Sequence, residues 1–190
     1  MPVSDKARTS AQRKARIDAG WTEVRVWVAS RDDVHEIRNF AEKLRMDRIR
    51  EQVRQIGRAR GTTPAVVEHA ICAFNLQHSP EYNTPSGATL TLTLLSDLAR
   101  AKQLKDLNAV VEMFTVAHPG NARFVAESVP AKVLNHFVAQ QLDFRSTDRM
   151  MKWQAAHPDW AMDVEAALGR FELENWAEAT VREMQAIKLN

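Results

Sequence analysis

The chain has 190 residues, 45% of them hydrophobic and 26% charged, with a formal net charge of +2; this excludes wholesale disorder and allows one good core or two small domains. A single cysteine, Cys72, excludes an intramolecular disulfide and a cysteine-rich zinc cage. No apolar run approaches the roughly 18 residues of a membrane span, and the basic opening MPVSDKARTSAQRKAR reads as no secretory signal, so the expected setting is the cytoplasm, away from membranes.

Charge is unevenly distributed. Residues 1–60 carry 15 Lys or Arg against 9 Asp or Glu, whereas residues 61–190 carry 11 against 15. Such asymmetry points to a polyanion or membrane contact at the basic end; the plainer reading is a solvated basic helix face.

In chain order, residues 1–20 read as a basic arm. Thr9 or Ser10 could cap a short helix through Ile17, with Gly20 at its end. TEVRVWVA at 22–29 alternates Val24, Val26 and Val28 with Glu23, Arg25 and Trp27 and predicts a β-strand. Ser30 followed by Arg31, Asp32 and Asp33 has the form of a capping box. Val34, Ile37, Phe40, Ala41, Leu44, Ile49, Val53 and Ile56 then recur at helical spacing and predict one long helix up to Gly57. A helix that long with charge on its other faces usually packs against another chain or a large neighbour.

Arg58, Ala59, Arg60 and Gly61 form a basic turn. Thr62 or Thr63 caps a second helix that starts at Pro64 and buries Val67, Ala70, Ile71 and Phe74. SPEYNTPSG at 79–87 is a loop and the expected domain boundary. TLTLTLL at 89–95 alternates like a strand, yet its leucine spacing suits a helix continuing to Leu107, which is the reading adopted. Helical segments follow at about 106–117, 121–128, 130–142, 147–156 and 158–188, with Pro119, Pro130 and Pro158 at helix starts and Gly169 a break in the last. AHPGNARFV at 117–125 echoes AHPDWAMDV at 156–164; a duplicated hairpin is one reading, and convergent helix–proline–helix turns the more economical one.

Chemical motifs are missing. No phosphate loop, GxSxG elbow or HExxH helix occurs. The six histidines never pair at i, i+4, and His118 and His157 read as polar residues at helix ends. Cys72, within AICAF, reads as a small buried hydrophobe. Trp153, Trp160 and Trp176, among Met150, Met151, Met162 and Met184, read as core, or else as a docking surface. The chain is therefore expected not to be an enzyme and to need neither cofactor nor metal.

The order of basic arm, strand, capped helix, glycine turn and capped helix, carried by TEVRVWVASRDDVHEIRNFAEKL and GTTPAVVEHAI, resembles the ribbon-helix-helix family over about residues 20–75. The resemblance departs from that family in the length of the first helix and in the bulk of Trp27. It implies a homodimer whose paired strands form an intermolecular ribbon in the DNA major groove. Glu23, Arg25 and Trp27 would face DNA, and Arg25 would reach guanine. The backbone after Thr62 and Thr63 would hold a phosphate, with Arg58 and Arg60 beside it. Lys6, Arg8, Arg13, Lys14 and Arg16 would follow the DNA backbone.

The fold expectation is thus mainly α, with a short N-terminal β-strand, one long helix and a helical C-terminal domain. The regions are 1–20 (arm), 21–78 (DNA binding and dimerisation) and 88–190 (helical domain). The functional expectation is a DNA-binding regulator, repressor-like, of a phage or plasmid setting by analogy, with a protein partner for its C-terminal helices. The alternative is a helical protein-interaction module, such as an inhibitor or a subunit of a larger nucleoprotein complex.

Overall fold

The computed structural model describes residues 10, 13–14, 17, 22, 24–76, 87–142 and 146–188. The expected roles of Thr9, Lys6, Arg8, Arg16, Gly20 and Glu23, and nearly all of the loop at 79–87, lie outside the described residues. The chain divides into two compact units, Met1–Ala41 and Glu42–Asn190.

Mainly α holds, and the N-terminal strand does not. Residues 24–28 have no regular secondary structure and are exposed, and the described residues contain no strand. Val24 is 78% and Val26 60% exposed, on the side expected to be buried. A strand persists only when its N–H and C=O groups pair with a neighbour. Among the described residues no second extended segment offers that pairing, so alternation of side chains was not sufficient.

Helix α1 spans Arg31–Arg60. It opens on a reciprocal cap: Asp33 N donates to Ser30 Oγ at 3.1 Å, and Ser30 N donates to Asp33 Oδ2 at 2.9 Å. This satisfies two amides that the first turn would leave unbonded. The helix continues through Gly57, against the expectation that it would stop there. Gly57 is buried, and a Cβ there would collide with Val67 Cγ2 and lie 3.3 Å from Met113 Cε. The glycine lets two helices approach closely. The actual stop is Gly61 (φ +68), where Thr62 N bonds Gly57 O at 2.9 Å and Gly61 N bonds Arg58 O at 3.2 Å, a left-handed helix end of the Schellman type.

Helix α2 (Pro64–Ala73) starts with Pro64 after Thr63 and buries Val67, Ala70 and Ile71, with Phe74 next to its end. Cys72 is exposed, contrary to expectation; in a helix it falls one residue off the buried face set by Val67 and Ile71. TLTLTLL is helical, within α3 (Gly87–Arg100), but does not run on to Leu107. Lys102 takes φ +62, and Gln103 N bonds Leu98 O at 2.9 Å, closing α3 as Gly61 closes α1. Helix α4 (Leu104–Ala117) is buried almost all round, through Leu107, Val110, Met113 and Phe114, which identifies it as a central helix of the second unit.

A short 3₁₀ turn, Pro119–Asn121, leads into α5 (Ala122–Glu127) and α6 (Val129–Lys132). A π-helical stretch, Val133–Val138, and α7 (Ala139–Gln141) follow. Then come α8 (Ser146–Ala156), α9 (Trp160–Gly169) and α10 (Leu173–Ala186). Phe171 separates the last two at φ +61, with Glu172 N bonded to Ala167 O at 2.8 Å. Trp153 is buried and Trp160 and Trp176 pack against the core, whereas Met151 and Met162 are exposed. No helix among the described residues is long and apolar enough to cross a membrane.

Candidate interaction surface

The residues expected to contact a partner separate into two groups. Arg13 and Lys14 are helical and exposed, Arg25 is exposed, and Trp27 is fully exposed at 101%. All four belong to the first unit. They share it with Val24, Val26, Ile37 and Phe40, which are likewise exposed. Apolar and cationic side chains are therefore both exposed in this unit.

The second group is held by the molecule itself. Arg58 pairs with Glu51 at 2.7 Å, one face of α1 bonding itself. The Arg60 guanidinium bonds both carboxylate oxygens of Glu112, at 2.7 and 3.1 Å, and lies 4.2 Å from the Phe171 ring centroid. The Glu112 hydrogen bond holds the Arg60 pKa above its ordinary value. Thr62 is buried, its Oγ1 without a hydrogen-bond partner. Thr63 occupies the N-cap position of α2 without a side-chain cap bond and is exposed.

The same neutralisation runs along the rest of α1. Arg45 pairs with Glu42, Arg50 with Asp47, and Arg54 with Glu68 on α2. The Arg54 hydrogen bond draws the Glu68 carboxyl below its ordinary range, and Arg58 does the same to Glu51. By contrast, Arg31, Arg38, Lys43 and Arg48 are exposed and engage no carboxylate among the described residues. The positive charge open to a partner is thus narrower than the sequence surplus. Sequence reasoning missed these four because it could not tell a paired arginine from an unpaired one.

Within the second unit, a cleft of about 480 Å³ is lined by Arg60, Asn108, Glu112, Arg123, Glu165 and Phe171 among others. Both arginines are tied up, Arg60 by Glu112 and Arg123 by Glu127 at 2.6 Å. Asn108 Nδ2 donates to Leu168 O at 3.0 Å, and its buried Oδ1 accepts nothing. Lys132 donates to Ser96 Oγ at 2.8 Å, and burial pushes its ammonium pKa down.

The two histidines of the AHP echo do different work. His118 Nε2 lies 2.6 Å from Phe74 O, tying the end of α2 to the end of α4. His157 stacks on Trp153 at 4.6 Å with Nδ1 2.9 Å from Trp153 O. No three His, Cys, Asp or Glu side chains converge as metal ligands among the described residues. Compared with protein-family models, curated proteins and solved structures, the chain matches none.

Proposed function

We propose that this chain is a DNA-binding regulator that acts by occupying a DNA site, without chemistry on the DNA, and that its N-terminal unit is the contact element. The observation that carries this reading is the exposure of Lys14, Arg31 and Arg38 in that unit, while the arginines from 45 to 60 other than Arg48 are spent on carboxylates. Exposed cations bind the phosphate backbone by releasing condensed counterions, so affinity falls with a log–log slope of about −0.9 per phosphate contacted. The contact no longer needs a ribbon; a cationic segment beside a helix is enough for sequence-independent binding.

The test is fluorescence anisotropy with a labelled random duplex across a salt series. Binding is expected to weaken steeply with salt. Replacing Lys14 and Arg31 together by Gln should lower the slope by about one per lost contact. Absent or salt-insensitive binding would reject the reading.

A second reading is favoured by Trp27. A fully exposed tryptophan among exposed valines is the usual mark of a protein-docking patch, and it makes the chain a helical protein-interaction module. Under that reading Trp27→Ala leaves DNA affinity untouched and abolishes assembly with the protein partner.

A further inference from the structure

Helix α1 carries two apolar faces, and the second unit covers one of them. Met46, Ile49, Val53 and Ile56 pack into the core of the second unit. Val34, Ile37, Ala41 and Leu44, with Phe40 at their edge, form another stripe. At 100° per residue its centre lies roughly 140° around the helix from the first. Ile37 is 42%, Phe40 63% and Leu44 44% exposed. Because the stripe is out of phase with the packed face, it is not a continuation of it, and its burial calls for a different surface.

The flanks of the stripe identify that surface. With Val34 and Ala41 at heptad position a and Ile37 and Leu44 at d, Arg31, Arg38 and Arg45 all fall at e. Asp33, Phe40 and Asp47 fall at g. One rim is therefore uniformly basic and the other acidic or aromatic. In a parallel pair of such helices, g of one chain faces e of the other; in an antiparallel pair, e faces e. Parallel pairing sets Asp33 against the second copy's Arg38, and Phe40 against its Arg45, whose charge Glu42 of the same helix already pairs. Antiparallel pairing sets arginine against arginine. Of the core positions, Val34 at a and Leu44 at d are the types that suit a two-stranded parallel coil.

We infer that the stripe Val34–Ile37–Ala41–Leu44 is the seam of a parallel homodimer, its occupant the same helix of a second copy. The seam ends at the next a and d positions, Arg48 and Glu51. Four apolar side chains make a short seam beside the roughly 1,200 Å² that a stable interface buries. The exposed Val24, Val26 and Trp27, which precede the helix, supply further apolar area, and the association is reversible and concentration-dependent. Asp33 keeps its cap bonds, since a carboxylate has acceptor capacity left for an arginine. This dimer is the one that occupancy of a DNA site as a pair would use, yet it forms without DNA.

Sedimentation of the full chain alone, over a concentration series, tests the inference. The mass is expected to rise from 21.5 kDa toward twice that value. Ile37→Asp should return it to the monomer without loss of helix content, because Ile37 lies outside the second unit's core. A full chain that stays monomeric at every concentration overturns the inference, as does a dimer indifferent to Ile37→Asp. A monomer that dimerises only after removal of residues 1–21 overturns it too, naming that segment as the occupant. Orientation is read by oxidising a Cys72→Ser, Ile37→Cys double variant: d faces d in a parallel pair, so a disulfide-linked dimer is expected, and its failure to form in a chain that does dimerise excludes parallel pairing. These readouts involve no DNA. Salt-insensitive anisotropy with an intact dimer would reject the regulator and leave the seam standing.

Discussion

Gly57 shows how one atom decides a helix crossing. In an exposed helix interior, glycine to alanine stabilises by about 1 kcal/mol. Here the added methyl meets Val67 Cγ2 and Met113 Cε in a filled core, and overpacking of that kind costs about 1–3 kcal/mol. The packing term wins, so Gly57→Ala is expected to destabilise by about 1–2 kcal/mol, checked by urea denaturation; a gain in stability would mean that the crossing is looser than drawn. Sequence inspection marked Gly57 as a breaker. Its role as a contact was illegible, because Val67 and Met113 lie 10 and 56 residues away in the chain. Arg60 makes the same point for charge: it reads as basic in the sequence and is neutralised by Glu112, on another helix.

At the scale of elements, local signals were the readable ones. The capping box at Ser30 and Asp33 and proline at the start of α2 act within a few residues, and these the sequence displays directly. Ser30→Ala is expected to fray the first turn of α1, costing that turn about 0.5–2 kcal/mol. Faster amide exchange at Arg31–Val34 would register it, and unchanged exchange would deny the cap any role. The strand expected at 22–29 failed for the opposite reason. Its side-chain pattern is local but its hydrogen bonds are not, and no described segment pairs with it. TLTLTLL, equally alternating, is helical because Leu94, Leu95 and Leu98 find the core at i, i+1, i+4 spacing. The helix end at Lys102 went unseen, whereas the break expected at Gly169 is there and is turned at Phe171. Both are left-handed positions without glycine, held where tertiary packing outweighs a local cost of about 1–2 kcal/mol.

For the whole molecule, electrostatics ties the helices together modestly and with a definite sign. Glu51 and Glu68 have folded pKa values lowered by Arg58 and Arg54. Their contribution is complete above the unfolded carboxylate pKa and is lost as pH falls through the lower folded values. Both pairs are exposed, so the effect is small. The denaturation midpoint is expected to decline across that acid window, and to decline less in Glu68→Gln; an equal decline would assign acid sensitivity to other groups. The sequence by itself determined the helical class, the cap at Ser30, the proline start of α2, the basic excess near the start and the helical spacing of apolar residues along α1, since each depends on residue type and short-range periodicity. The tertiary structure alone decided which arginines are spent, which apolar face is covered, whether residues 24–28 pair and where Cys72 points. Those outcomes depend on partners distant in the chain, and a charge or a hydrophobe carries no local mark of whether its partner exists.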